Sequence, residues 1–158
     1  MIPFTATADW RSVLADTKLV GQGDLRIWGF RIYTARLWSA YQPFDSSRPF
    51  ALELTYHRDI SRDQFVDASL DEIRRTSGEQ VSKAQLQAWG DEMQRAFVDI
   101  KAGQRITGVN LGERCQFYVD GRLHYEVRDR AFAKAFFAIW LDPKTRDSGL
   151  REQLLGNG

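Results

Sequence analysis

Few side chains in this sequence have the chemistry of a nucleophile, a general base or a metal ligand. The chain contains two histidines, His57 and His124, and one cysteine, Cys115. A Ser-His-Asp triad or a histidine-based metal site needs several such groups to converge. His124 alternates with apolar neighbours, and Cys115 lies on the apolar face of a predicted strand, which favours a packed thiol over a nucleophile. We therefore predict no metal site and two structural or solvated histidines.

The glycine pair Gly21-x-Gly23 is the nearest approach to a phosphate-binding loop. It lacks the third glycine of a dinucleotide fingerprint, and the segment after it is predicted to be a strand instead of a helix. We therefore predict no nucleotide cofactor, and no other cofactor is indicated.

Two polar side chains interrupt an otherwise apolar strand face. Thr34 and Arg36 alternate in register with Phe30, Ile32 and Trp38. An arginine in such a place can hold a carboxylate or an enolate oxygen, because its guanidinium presents a fixed fork of donors. The alternative is that Arg36 extends to the sheet edge and Thr34 is an ordinary β-branched strand residue.

Two aromatic residues complete the set of candidate pocket residues. Tyr56 is the last residue of a strand whose apolar residues alternate cleanly. Trp89 belongs to a helical stripe that also contains Leu86, Met93 and Phe97. Such a stripe is core in most proteins and pocket lining in some. The predicted ligand-binding residues are Thr34, Arg36, Tyr56 and Trp89.

Alternation with a period of two, bounded by turn residues, predicts six strands. Asp120-Gly121 is the residue pair that a tight type I′ hairpin prefers. The strand that contains Thr34 is apolar on both faces, which is typical of a strand covered on both sides. The predicted strands cover residues 18–28, 30–38, 50–56, 104–111, 114–119 and 122–127.

Four helices are predicted from their start signals. Capping boxes begin at Ser61 and Ser82, where a serine is followed three residues later by glutamine. Asp129 caps a helix over 130–141 that is apolar around most of its circumference, so we expect it to be buried. Asp147 caps a last short helix over 148–155. Strands grouped without strict β-α alternation favour an α+β fold, an antiparallel sheet with its helices layered on one face.

Length and composition narrow the class of protein. The chain has 158 residues, 43% of them hydrophobic, and a net charge of +1. These values fit one globular domain and argue against disorder. No window is apolar over the roughly 18 residues that span a membrane, so the chain is predicted not to be transmembrane. The near-zero charge argues against a nucleic-acid partner.

The first residues carry a weak targeting signal. Ala6-Thr7-Ala8 has the small-x-small form of a signal-peptide cleavage site, although no basic region or apolar stretch precedes it. The alternative is an ordinary N-terminus. We divide the chain into an N-terminal segment, 1–17, with this pattern as a possible cleavage remnant at 6–8, and a domain over 18–156.

Three ordered stretches resemble the bacterial chalcone isomerase-like domain family. The first is the glycine-rich strand LVGQG at 19–23, followed by GFRIYTARLW at 29–38. The second is LELTYHRDIS at 52–61, which leads into a helix. The third is FFAIWL at 136–141 with LREQLLG at 150–156. Each stretch is weak alone, but the ordered set spans nearly the whole domain.

The resemblance implies an open-faced β-sandwich that holds its ligand between the sheet and the helices. Plant enzymes of this family close a flavonoid ring with an arginine after the glycine turn and a threonine in a strand. Related plastid proteins bind fatty acids, with an arginine on the carboxylate. By resemblance, Thr34 corresponds to the threonine, and Arg26 is the nearest arginine after the glycines. Thr34 and Arg26 are therefore the candidate catalytic residues, with Arg36 as an alternative to Arg26.

Three functions follow as hypotheses. The first is a non-catalytic domain that binds a small apolar or amphiphilic ligand such as a fatty acid. The second is an intramolecular lyase of the chalcone isomerase type. The third is a structural or interaction module of the cell envelope, which is favoured if Trp89, Phe97, Phe136 and Trp140 fill the layer between sheet and helices and leave no cavity. The resemblance and the Ala6-Thr7-Ala8 pattern together predict a periplasmic location. The oligomeric state is left open.

Overall fold

A six-stranded antiparallel sheet runs through the chain in sequential order, so each strand pairs with the next one along the sequence. The computed structural model describes residues 9–157, and the Ala6-Thr7-Ala8 pattern lies outside the described residues. The predicted strands are confirmed within two residues at each end. They are β1 (Lys18–Ile27), β2 (Phe30–Ser39), β3 (Phe50–Tyr56), β4 (Arg105–Asn110), β5 (Cys115–Val119) and β6 (Arg122–Val127).

Five α-helices accompany the sheet, and the four predicted ones are confirmed. They are α1 (Trp10–Val13), α2 (Arg62–Ser77), α3 (Lys83–Ala96), α4 (Arg130–Leu141) and α5 (Ser148–Leu154), with a 3₁₀ turn over Gly78–Gln80 after α2. Both capping boxes form: the Gln64 amide donates to the Ser61 hydroxyl at 3.1 Å, and the Gln64 side chain accepts from the Ser61 amide at 2.9 Å. In the described chain, no helix combines the length and the apolarity needed to cross a membrane.

The sheet has two different faces. We call the face that packs against α2–α5 the inner face, and the opposite one the outer face. Ala35, Leu37 and Leu54 point inward and are almost fully buried in the main core with residues of all four helices. This is the expected α+β architecture, an open-faced sheet with helices layered on one side.

Helix α1, which the sequence pattern did not predict, covers one corner of the outer face. Trp10 packs on Trp38 with ring centroids 5.8 Å apart, and both lie in a small cluster with Ala51, Val109 and Tyr118. Four residues give too short a stripe to predict a helix from periodicity. The prediction that β2 is covered on both sides is correct only in part: helices cover its inner face, but Trp10 covers only one end of its outer face, and Phe30 at the other end is exposed.

The glycines of β1 make room for α5. A Cβ atom at Gly21 would overlap the carbonyl oxygen of Gln153 and lie 2.7 Å from that of Leu154. The backbone of α5 therefore lies directly on β1 at a distance that only glycine permits. This close approach is the physical reason for glycine at position 21, whereas the atoms nearest to a Cβ at Gly23 belong to side chains of α5.

Candidate ligand-binding site

Thr34 lies on the outer face in a small hydrogen-bonded group. Its Oγ1 lies 2.6 Å from Asp24 Oδ1 and 2.7 Å from His57 Nε2. A threonine hydroxyl has one proton, so when it donates to the carboxylate it accepts from the imidazole N–H. Asp24 contacts the threonine instead of the histidine, so the three residues lack the order of a nucleophilic triad.

The two predicted arginines contact other polar side chains, Arg36 across to the neighbouring strand and Arg26 within its own strand. Arg36 shares the outer face with Thr34, as predicted, and donates to the Gln22 side chain at 3.0 Å. Arg26 is exposed and lies 3.5 Å from Asp24 Oδ2. These guanidinium groups therefore lie outside the layer between sheet and helices.

Tyr56 lies on the inner face, on the other side of the sheet from Thr34 and Arg36. It is 4% exposed, and its ring packs 5.2 Å from Tyr33 and 6.0 Å from Phe65. Burial raises the pKa of the Tyr56 hydroxyl well above its ordinary value, and the neighbouring Tyr33 hydroxyl raises it further. Tyr56 therefore supplies a neutral hydroxyl at neutral pH.

Trp89 fixes the start of α4. It is 2% exposed, and its indole N–H donates to Asp129 Oδ2 at 3.0 Å. The other carboxylate oxygen of Asp129 accepts from the Phe132 amide at 3.1 Å and caps the helix. The structure therefore brings Thr34 and Arg36 to one face of the sheet, and Tyr56 and Trp89 to the other.

The centre of the layer between sheet and helices is filled by aromatic rings. Phe65 and Phe97 stack at 4.2 Å, and Phe97 meets Phe117 edge-on at 5.2 Å. The Trp140 indole N–H donates to the Tyr33 hydroxyl at 2.8 Å, which ties α4 to β2. The four residues named for the structural hypothesis, Trp89, Phe97, Phe136 and Trp140, are all buried in this layer.

An open space remains at one end of the layer, which we call the end cleft. It measures about 660 Å³, within the range of small-molecule sites. It lies where β3 begins and β4 ends, below the loop that joins β2 to β3. Its apolar wall consists of Phe44, Phe50, Phe137, Ala138, Leu141 and Leu155.

Three aromatic rings form a continuous side of the end cleft. Phe50 meets Phe44 edge-on at 5.2 Å and Phe137 at 5.1 Å. Gly108 provides room for Phe137, because a Cβ atom there would lie 3.0 Å from the Phe137 ring. The packing of the sheet therefore holds this apolar wall in place.

Cationic side chains border the same cleft. Arg130 and Lys134 lie one helical turn apart on α4, and Arg151 reaches in from α5. Among the described residues, neither Arg130 nor Lys134 forms an ion pair. Arg151 donates through Nε to the Leu141 carbonyl at 2.7 Å. Asp142 is the one carboxylate among the residues that border this cleft.

The place of Arg130 is electrostatically unfavourable for its own helix. It is the first residue of α4, where the aligned peptide dipoles create a partial positive charge that the capping carboxylate of Asp129 offsets in part. A bound anion beside Arg130 and Lys134 would offset that repulsion. Chemically, the end cleft therefore offers an apolar wall with an anion-attracting rim.

The sequence interpretation did not identify the end cleft, although one signal was present. Residues 130, 134, 137, 138 and 141 share one face of α4 at helical spacing, with two cations followed by apolar residues. The rest of the wall comes from distant segments, and periodicity cannot show that they meet. Cys115, in contrast, is buried as predicted, and burial raises the pKa of its thiol.

Comparison with known proteins supports a family assignment. The chalcone isomerase-like family pattern matches residues 18–156. No curated protein sequence matches the chain. Among solved structures, the fold is similar to that of a fatty-acid binding protein of Arabidopsis thaliana, with a TM-score of 0.67 and 12% sequence identity. The match covers 90% of this chain and 88% of the plant protein. The chain therefore belongs to the chalcone isomerase-like family.

Proposed function

We propose that this protein binds a single-chain anionic amphiphile of the fatty-acid class in the end cleft. The observation that carries the proposal is the combination of an apolar wall, formed by Phe50 and Phe137, with the cations Arg130 and Lys134, which have no ion-pair partner within residues 9–157. An acyl chain that packs on this wall leaves water, which contributes about 0.8 kcal/mol of favourable binding free energy per buried methylene. A carboxylate at the rim meets cations in charge-assisted contacts, which are stronger than neutral hydrogen bonds.

The similarity in fold supports the same ligand class. The Arabidopsis protein with this fold is described as a fatty-acid binding protein. At 12% identity the likeness concerns the fold, so the ligand class of this chain rests on its own cleft. A periplasmic location stays a prediction from the sequence.

Titration with fatty acids and their methyl esters tests the proposal. The purified chain is titrated with lauric acid, palmitic acid and the two esters, followed by calorimetry. We expect saturable binding of the acids and about tenfold weaker binding of the esters, because the ester lacks the charge that Arg130 and Lys134 attract. Absence of binding by either acid, or equal binding of acid and ester, would contradict the proposal.

We propose ligand binding in preference to ring closure. Thr34 lies beside Asp24 and His57, on the face opposite the end cleft, and Arg36 is held by Gln22. We expect chalcone absorbance to fall at the same rate with the wild type, with the Thr34→Ala variant and in buffer. A faster rate in the wild type that the substitution removes would instead support the lyase.

A further inference from the structure

The tip of the β1–β2 hairpin concentrates exposed apolar side chains. Ile27 is 48% exposed, Trp28 92% and Phe30 60%. In the described chain, the other large hydrophobic side chains that are exposed, Val13, Leu19, Tyr41 and Leu123, are at least six positions apart in the sequence. Scattered apolar residues are normal on a surface, but a cluster marks an interaction site.

The conformation of the turn does not account for its tryptophan. Trp28 and Gly29 have φ angles of 55° and 79°, the positive values that a two-residue hairpin of this kind requires. The β5–β6 turn has the same signs at Asp120 and Gly121, with φ of 48° and 85°. Aspartate and asparagine tolerate this left-handed region, whereas a bulky side chain is disfavoured there. Trp28 therefore occupies a strained position at which its side chain gains almost no packing within the protein.

Positive charge surrounds the tip. The Arg58 guanidinium lies 5.1 Å from the centre of the Phe30 ring, and Arg31, Arg58 and the carboxylate of Asp59 border an open depression beside it. Arg26 and Arg31 share a single carboxylate, Asp24, at 3.5 and 3.8 Å. Three arginines thus outnumber two carboxylates beside the tip, and Phe30 lies against the Arg58 guanidinium.

This combination fits the interface of a bilayer better than a protein surface. Tryptophan is enriched at the level of lipid headgroups, where its apolar ring and its N–H are both accommodated. Arginines beside the ring attract anionic headgroups. The tip is convex and comprises only a few residues, whereas a stable protein interface buries about 1,200 Å² or more.

The tip and the end cleft lie at opposite ends of the sheet. Strand β2 begins at the tip, runs for 10 residues and leads into the loop that borders the cleft. This distance is about 30 Å. Docking through the tip would therefore leave the cleft open to solvent, so the two sites can be tested separately.

We propose that the β1–β2 hairpin tip, residues 26–31, docks peripherally on the surface of bilayers that contain anionic lipid. Trp28 and Phe30 enter the headgroup region, while Arg31 and Arg58 contact the anionic headgroups. This inference does not depend on fatty-acid binding by the end cleft.

Sedimentation with vesicles of phosphatidylcholine, with and without phosphatidylglycerol, tests the proposal. We expect the wild type to bind vesicles with phosphatidylglycerol and to bind them more weakly as salt is added. Trp28→Ala/Phe30→Ala should lower the partition coefficient about tenfold. Arg31→Glu/Arg58→Glu should abolish the preference for phosphatidylglycerol, since each basic residue contributes about fivefold.

Tyr41→Ala/Arg48→Glu is the matched control, because this exposed aromatic and arginine pair lies at the opposite end of the sheet. It should bind vesicles like the wild type, and fatty-acid titrations should be unchanged in the tip variants. A second measurement needs only a conservative change. Vesicles with brominated lipid should quench the tryptophan fluorescence of the wild type, and Trp28→Phe should remove that quenching.

Three results would overturn the proposal. The first is that the wild type does not bind vesicles with phosphatidylglycerol. The second is that the wild type and the tip variants bind them equally. The third is that no quenching of tryptophan fluorescence depends on Trp28. Sedimentation velocity without lipid tests whether the tip instead binds a second copy of the chain. If the tip variants abolish self-association and leave vesicle binding intact, the tip is an interface between copies of the chain.

Discussion

Replacing Gly21 with alanine is expected to lower the free energy of unfolding by about 3 kcal/mol or more. The added Cβ would overlap the backbone of α5 at Gln153 and Leu154. Backbone atoms cannot rotate away as a side chain can, so α5 must move from β1. Because α5 carries Arg151 and leads directly into Leu155, the same shift would open the end cleft.

Gly23→Ala is the matched control in the same strand. The nearest atoms to a Cβ at Gly23 belong to the side chains of Gln153 and Leu150, which can adopt other rotamers. We expect a loss of about 1 kcal/mol. Urea unfolding measures both variants, with the m-value as a check that the transition is unchanged. Equal stability losses for the two variants would show that α5 is not seated as closely on β1 as described.

Reversing the charge of the two cations on the α4 side of the end cleft is expected to weaken fatty-acid binding about 100-fold or more. In Arg130→Glu/Lys134→Glu, the rim that attracts a carboxylate becomes one that repels it. A glutamate at the first position of α4 suits the helix dipole better than the arginine does. The variant should therefore be at least as stable as the wild type, and calorimetric titration with palmitic acid reports the lost affinity directly.

The control has the same change in net charge at other helix starts. Arg62 and Lys83 are the first residues of α2 and α3, both are exposed, and neither borders the end cleft. Arg62→Glu/Lys83→Glu should therefore bind palmitic acid nearly as the wild type does. A similar loss of affinity in both double variants would show that net charge, and not the cleft, controls binding.

Local signals predicted most of the fold. The residue Ser61 and its glutamine partner start α2 through short-range hydrogen bonds, so the sequence pattern contains the whole cause. Asp120-Gly121 likewise produces the β5–β6 turn. Helix α1 was not predicted, because it contains no repeated apolar spacing. Its Trp10 is buried by contact with Trp38, which lies far along the sequence in β2.

The candidate site was harder to predict because it depends on which face of the sheet the helices cover. Alternation placed Thr34 and Arg36 together correctly, yet both faces of β2 are apolar enough to be packed. Long-range contacts, such as the hydrogen bond between Tyr33 and Trp140, determine which face of β2 the helices cover. The end cleft depends further on loop residues such as Phe44, whose position follows from no periodicity.

A crystal structure of the complex with palmitic acid is the most direct test of fatty-acid binding in the end cleft. We expect the acyl chain to lie in the end cleft against Phe50 and Phe137, and the carboxylate of the palmitic acid to lie beside Arg130 and Lys134. An acyl chain on the outer face beside Thr34 and Arg36, or between Tyr56 and Trp89 in the centre of the layer, would contradict it.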